Sequence, residues 1–439
     1  MDKQTIPNKK KMNEPSIMNR NFVILGAVMI QLALGAIYAW PVFTPWLTEA
    51  GWTKAETQYV FSLGLASFAV CMVFAGRKLK VWGPQKLAVI GGLVLGGGYA
   101  LAGVTGGYNF AATLIFIGLI GGAGIGFAYV VPIAVGIQWF PDKKGMITGL
   151  AVAGFGFGAL LWVKIAGSWG RLIANFGLNN TLTVYGIAFA AMVLAGGIWM
   201  KFPPRHWKPY GFEAIAAVTG AKSEKGASPK EFSCGEMLKT IQFYMIFLIF
   251  VFSAGAGLMS IGLMKLYPIE ALTASGISET AASGIAGTAM AVFFSLANGL
   301  GRILWGVISD RIGRKMSIIL MTGIQGVVVI MFTVMAGSVV LLYLGAALIG
   351  FNFGGNFALF PTLTADIFGS RNVGQNYPFV FLAYGAGGIL GPVFGGMLGD
   401  MGNFSLAFTL SGIMVLAGTG LTILLRPPDS SSAGSASAP

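Results

Sequence analysis

Arg302 stands in a run of otherwise apolar and small residues, Ser295-Leu-Ala-Asn298-Gly-Leu-Gly-Arg302-Ile-Leu-Trp305, where a charge is costly and so a candidate for function. It precedes Asp310 by eight residues, or ~12 Å along a helix, within the ~15 Å half-thickness of a bilayer core. A guanidinium offers a planar fork of donors matched to a carboxylate, and it does not deprotonate in a protein. No Asp or Glu falls deep in any apolar run, so the expected counter-ion is an anionic substrate. The alternative is a structural anchor that snorkels to the nearer interface. Helical side chains lean toward the N-terminus of their own helix, which turns Arg302 toward the midplane.

Other residues could complete the site. Asn298, one turn before Arg302, can hydrogen-bond a substrate or a neighbouring helix. Tyr384 lies eight residues after Asn376, ~12 Å into a later run, at the depth of Arg302, so the two could face one cavity. Tyr38, Tyr129 and Gln31 either line its other wall or pack helices. Lys164 and Lys265 near run ends read as interfacial anchors, and His206, the only histidine, falls in a polar loop.

These residues are positioned by elements that composition dictates. Of 439 residues 55% are apolar and 10% charged, with a mean hydropathy of +0.77. Apolar windows of ~20 residues recur, the length an α-helix needs to cross a bilayer. The fold class expected is an all-α membrane protein of twelve transmembrane helices in two six-helix, pseudo-symmetric halves. The spans read 22–46, 56–76, 84–105, 110–137, 145–168 and 181–200, then 240–266, 280–308, 314–336, 339–364, 376–399 and 403–425. The division expected is a cytoplasmic tail 1–20, a bundle 21–201, a cytoplasmic linker 202–238, a bundle 239–426 and a tail 427–439. The linker is rich in Lys, Gly, Ser and Ala and reads as flexible. With the N-terminus inside, inner segments hold 23 of the 28 Lys and Arg, the bias that puts both termini in the cytoplasm of a plasma-membrane protein. The first span follows a basic tail and runs straight into further spans, so it is expected to stay as a helix, not to be cleaved.

The halves repeat. Gly76-Arg-Lys-Leu-Lys80-Val-Trp-Gly83 returns as Gly306-Val-Ile-Ser-Asp310-Arg311-Ile-Gly313-Arg314, 230 residues later. Gly126-Phe-Ala-Tyr129-Val-Val-Pro132 and Gly355-Asn-Phe-Ala-Leu-Phe-Pro361 repeat at an offset of 229. Parallel six-helix repeats of this kind belong to secondary transporters that rock around a central site.

The same reading excludes other classes. The net charge of +13 is spread over loops and does not form a basic patch on one domain, so no nucleic acid is expected. Cys71 in a span and Cys234 in a polar loop make neither a disulfide nor a metal site. Gly91-Gly-Leu-Val-Leu-Gly96 lacks the Lys-Ser/Thr ending that grips phosphate, so ATP drive is not expected. No catalytic constellation, metal or cofactor is expected, and the chain reads as no enzyme.

The loop Gly306, Asp310, Arg311, Gly313, Arg314 resembles the signature loop of the major facilitator superfamily, and its first-half copy, Gly76 to Gly83, carries Lys80 in place of the acid. The resemblance implies that these loops take part in conformational change. Trp139-Phe140-Pro-Asp142-Lys143-Lys144-Gly-Met146-Ile-Thr-Gly149-Leu-Ala-Val-Ala-Gly154 resembles the fifth-span signature of the monocarboxylate transporter family, and Tyr38-Ala39-Trp40 the end of its first-span signature. Ala36-Ile37-Tyr38-Ala39-Trp40 and Pro203-Pro204 are similar to the bacterial oxalate/formate antiporter branch. Arg302 then matches the eighth-span arginine that binds substrate carboxylate, with Asn298 where relatives carry an Asp. Tyr384 takes the position of the oxalate branch's lysine in Asn376-Tyr377-Pro-Phe-Val-Phe-Leu-Ala383-Tyr384-Gly385. A dianion favours two cations and a monoanion needs one. The function expected is therefore transport of a small monocarboxylate of the lactate, pyruvate or acetate class by a functional monomer, with proton coupling implied by resemblance alone. Oxalate/formate-type anion exchange is the second reading, and a substrate sensor on a transporter scaffold the third.

Overall fold

The computed structural model describes residues 18–52, 54–166, 170–204, 231–264 and 266–428. Most of both expected tails, most of the linker with His206, and Lys265 lie outside the described residues. Among those described, 12 helices are long and apolar enough to cross a membrane. They are α1 Asn21–Trp40, α2 Tyr59–Trp82, α3 Pro84–Thr105, α4 Phe110–Trp139, α5 Lys144–Ala166 and α6 Leu172–Gly197, then α7 Ile241–Leu263, α8 Glu279–Ile312, α9 Arg314–Met335, α10 Val339–Phe368, α11 Val373–Gly399 and α12 Phe404–Leu424.

The spans read from sequence overlap these helices, with differences at the ends. The ends of α2 and α10 run further than expected, to Trp82 and Phe368. The sixth helix begins at Leu172 and not at 181, because the side-chain amides of Asn179 and Asn180 find partners. Asn179 Oδ1 accepts the Gly107 N–H at 2.8 Å, and Asn180 Nδ2 donates to the Phe176 carbonyl at 3.0 Å. A break remains inside it at Gly177, whose φ of 75° admits only glycine readily.

With an even number of crossings, α1 begins and α12 ends on one side, here the termini side. The repeat is visible in the backbone. Gly83 and Gly313, 230 residues apart, have nearly the same conformation, φ 79° and 87° with ψ 158°, and each turns one helix into the next. Small residues let helices approach where lipid provides no hydrophobic drive. On the termini side α2 meets α11, and a Cβ on Gly76 would lie 2.4 Å from the Gly374 carbonyl oxygen. Likewise α5 meets α8, where a Cβ on Gly145 would lie 2.5 Å from the Gly306 oxygen. These close approaches seal the halves together at that end.

On the far side the halves stand apart around a cavity of about 320 Å³. Its walls come from α1, α2, α5, α7, α8 and α11. Two of the wall helices leave regular α geometry beside it. The end of α1 tightens to a 3-10 helix over Gly35–Val42, and α8 widens to a π-helix over Ala289–Phe294. Such segments often mark functional hinges, and these present Tyr38, Trp40, Met290 and Phe294 to the cavity.

Candidate functional site

The cavity floor is built by Tyr38, Gly156 and Asn298, and Arg302 lies one helical turn beneath Asn298 on α8. Its side chain is fully buried at 0% exposure. Nε donates to Asn298 Oδ1 at 2.9 Å and Nη1 to the Val152 carbonyl of α5 at 3.0 Å. Carbon Cζ sits 4.0 Å from the Phe357 ring centroid and 5.6 Å from that of Phe155, so the cation is held between aromatic faces. Two charge-assisted hydrogen bonds at ~1.5–3 kcal/mol each, with ~2 kcal/mol for a desolvated cation–π contact, offset much of the desolvation cost of several kcal/mol. No carboxylate among the described residues pairs with Arg302, and its Nη2 has no partner. The charge is positioned but not neutralised.

Tyr384 on α11 lies beside this group. Its hydroxyl contacts the Tyr38 hydroxyl of α1, joining the two halves at the floor, and its ring packs on Phe357 at 5.4 Å and Phe381 at 5.0 Å. Of the residues singled out from sequence, Tyr38 and Asn298 line the open cavity, while Arg302 and Tyr384 sit just below it and touch those two. Tyr129 is buried away from the open cavity, packing edge-on to Phe155 at 5.5 Å with its hydroxyl unpaired. Gln31 Nε2 reaches the Tyr129 carbonyl at 3.5 Å, which makes it a link between α1 and α4 and not a cavity residue.

On the termini side each repeated loop meets a helix of the other half. Asp310 at the end of α8 accepts the backbone N–H groups of Gly145 and Met146 at 2.9 and 2.7 Å, so a second-half carboxylate caps the first-half helix α5. Arg314 Nη2 pairs with Asp310 at 2.6 Å and its Nε with Asp366 at 3.1 Å. Lys144 of α5 reaches Asp366 at 2.8 Å, adding an ion pair across the halves. Arg311 is exposed. The first-half copy uses Lys80, whose Nζ donates to the Asn372 side chain at the start of α11.

Two six-helix repeats joined by these loops around one cavity coincide with a match to the Major Facilitator Superfamily model over residues 23–294 and 246–438. The chain belongs to that superfamily. It is a multi-pass membrane transporter. It is similar to the outward conformation of the superfamily transporter FucP, with a TM-score of 0.64 at 16% identity over 92% of this chain and 98% of that one. It is 26% identical to the oxalate:formate antiporter of Oxalobacter formigenes over 93% of this chain and 92% of that protein. It is also 23% identical to apicoplast pyruvate carrier 1 of Toxoplasma gondii over 74% of this chain and 66% of that protein.

Sequence reasoning passed over the aromatic box of this superfamily member. Phe155 follows the fifth-span motif directly, and Phe357 stands in the repeat that carries Tyr129, but a phenylalanine in an apolar span gives no sign of facing a cation. The Val152 carbonyl carries no sequence signal. Tyr377, Phe381 and Tyr384 did leave a signal, since spacings of four and three put them on one helix face.

Proposed function

We propose that this protein carries small monocarboxylates of the lactate, pyruvate or acetate class across the plasma membrane by alternating access about Arg302. The observation that carries the reading is the unpartnered Nη2 of a fully buried guanidinium, directly beneath a solute-sized cavity. A carboxylate entering from the cavity would meet the Tyr38 hydroxyl and Asn298 first. Parting of the Tyr38–Tyr384 contact would then bring it to Arg302, where one charge neutralises one charge. The floor contact thus acts as a gate that the substrate opens by replacing it. Similarity to an antiporter of organic anions and to a pyruvate carrier supports this cargo class.

The termini face the cytoplasm in this reading, in line with the positive-inside bias, so the closed end is the inner one and the loops of Gly76, Gly83, Gly306, Asp310, Arg311, Gly313 and Arg314 control its opening. Proton coupling rests on resemblance; Asn298 cannot titrate where relatives carry an Asp, so a proton would travel with the substrate or through the tyrosine hydroxyls. The protein works as a monomer, because each chain holds its own cavity.

Counterflow in proteoliposomes with a panel of labelled carboxylates, with and without a pH gradient, tests the reading. Accumulation of lactate or acetate is expected, and absence of flux for every carboxylate would refute it in favour of a sensor. Exchange of the oxalate:formate type is the second reading, favoured by the antiporter's similarity over 93% of the chain. Strict dependence on a trans anion, without acidification on uptake, would select it.

A further inference from the structure

Below the floor, polar atoms are buried without partners in a way that packing alone does not explain. Among the described residues eight buried side-chain N and O atoms have no hydrogen-bond partner, and three of them, Tyr129 Oη, Tyr377 Oη and Arg302 Nη2, belong to residues at most 1% exposed that one chain of packed rings joins. Such orphan groups cost free energy and are rare in native interiors. A transporter of this architecture has a second arrangement, in which the closed end opens. Groups left unpaired in one arrangement are explained if the other supplies their partners.

The three residues are linked through packed rings. On α11, Tyr377, Phe381 and Tyr384 form a ladder on one face, descending from the floor by ~1.5 Å per residue, so Tyr377 lies ~10 Å nearer the termini side than Tyr384. The Phe381 ring touches every rung, at 5.0 Å from Tyr384 and 5.7 Å from Tyr377. It also crosses to the first half, 5.3 Å from Tyr129 and 5.2 Å from Phe68. Tyr129 in turn meets Phe155, the ring that flanks Arg302. Phe381 is therefore a plug from the second half set between first-half rings, and separation of the halves at the termini end would withdraw it from Tyr129 and Phe68.

We propose that Tyr129, Tyr377 and the free Nη2 of Arg302 form a transit subsite for the substrate carboxylate on the termini side of the floor, closed in this arrangement by Phe381. The ligand class rests on the monocarboxylate reading above; the location of the subsite does not. A carboxylate accepts several hydrogen bonds, and here it would receive one from the guanidinium and two from phenols. Arg302 would hold the anion throughout, while its neutral donors change from Tyr38 and Asn298 to Tyr129 and Tyr377.

The route is tested without any substrate by Tyr377→Cys in a background with Cys71 and Cys234 changed to Ser, in sealed vesicles of known orientation. An impermeant thiol reagent should modify position 377 from the termini side only. Modification from the cavity side, or from neither side, would overturn the proposal. Tyr377→Phe, which keeps the ring against Phe381, tests the ligand. Half-saturation by lactate from the cavity side should stay as in the wild type while the exchange rate falls about tenfold, the loss of one hydrogen bond to a charged group. An unchanged exchange rate would reduce Tyr377 to a packing residue and overturn the subsite. If the wild type neither binds nor moves lactate, the functional reading fails, and the thiol experiment alone decides the route.

Discussion

Oxalate should be rejected by the wild type, and Tyr384→Lys should relax that rejection. Arg302 contributes one positive charge to a fully buried position, and among the described residues no cation lines the cavity itself. A monoanion on Arg302 leaves the site neutral, whereas a dianion leaves one negative charge with no protein partner. An uncompensated buried charge costs several kcal/mol, and at 1.4 kcal/mol per decade that excludes the dianion by about a hundredfold or more. Tyr384 is where a second cation would count, since its hydroxyl touches Tyr38 at the floor and its ring packs on Phe357, which carries Arg302 on its face. An ammonium there would leave a lactate-loaded site net positive, weakening lactate, and would pair the second carboxylate of oxalate. The assay is competition against labelled lactate in proteoliposomes, scored as the ratio of inhibition constants. The ratio should exceed about one hundred in the wild type and shrink at least tenfold in Tyr384→Lys. Tyr384→Phe, which keeps the packed ring, controls for loss of folding and should retain the wild-type ratio. Oxalate inhibiting the wild type as strongly as lactate would show that charge count does not set selectivity.

Arg302→Lys should lower carboxylate affinity by about a hundredfold despite retaining the charge, because an ammonium cannot hold Asn298, the Val152 carbonyl and a substrate in one plane; calorimetry on purified protein giving wild-type affinity would remove Arg302 from the site. Asp310→Asn loses the Arg314 pair and weakens the cap on α5, so the closed termini end should destabilise by ~1–2 kcal/mol, and far-side labelling of a cysteine at Ser62 should slow correspondingly. Lys80→Asp should act in the opposite direction, with faster labelling at Ser62 and slower exchange. A cysteine at Lys222, outside the described residues, should resist impermeant reagents applied to intact cells, and efficient labelling would invert the topology. Cys234 in the same connection needs replacement for that test, although burial pushes its thiol above the ordinary range and slows its reaction.

The spans were legible because apolar length is written residue by residue, and the repeat because two landmarks share an offset near 230. Arg302 was legible because a charge in an apolar run has few explanations. What could not be read was which of two levels each residue occupies. Depth along a helix puts Arg302 and Tyr384 at one level, and in the structure both are buried and outside the open wall of the cavity. That distinction depends on where the halves touch, through Tyr38 against Tyr384 and Phe381 against Phe68, and contacts between residues more than 300 apart leave no local pattern. The early start of the sixth helix is hidden for a similar reason, since the partner of the Asn179 side chain is the Gly107 amide, 72 residues away.

The two repeated loops occupy equivalent positions with opposite charge, and this bears on how the closed end opens. Asp310 places a carboxylate on the N-terminus of α5, where the helix dipole and two free N–H groups favour an anion. Lys80, its repeat mate, places an ammonium at the N-terminus of α11, where the same dipole disfavours it, and it finds only the Asn372 side-chain oxygen. The α5–α8 contact is therefore latched electrostatically, with Lys144, Asp366 and Arg314 closing the network. The α2–α11 contact holds mainly through the close approach of Gly76 to Gly374 and through Arg77 over the Phe379 ring at 5.2 Å. In the alternating-access reading proposed above, the weaker seam is expected to separate first. That seam belongs to α11, the helix whose inner face carries Tyr377, Phe381 and Tyr384. A helix released at its termini end would draw Phe381 away from Phe68 and Tyr129 before the Asp310 latch breaks. With Lys80 where its repeat mate is Asp310, the expected first opening lies beside the ladder of hydroxyls that leads from Arg302.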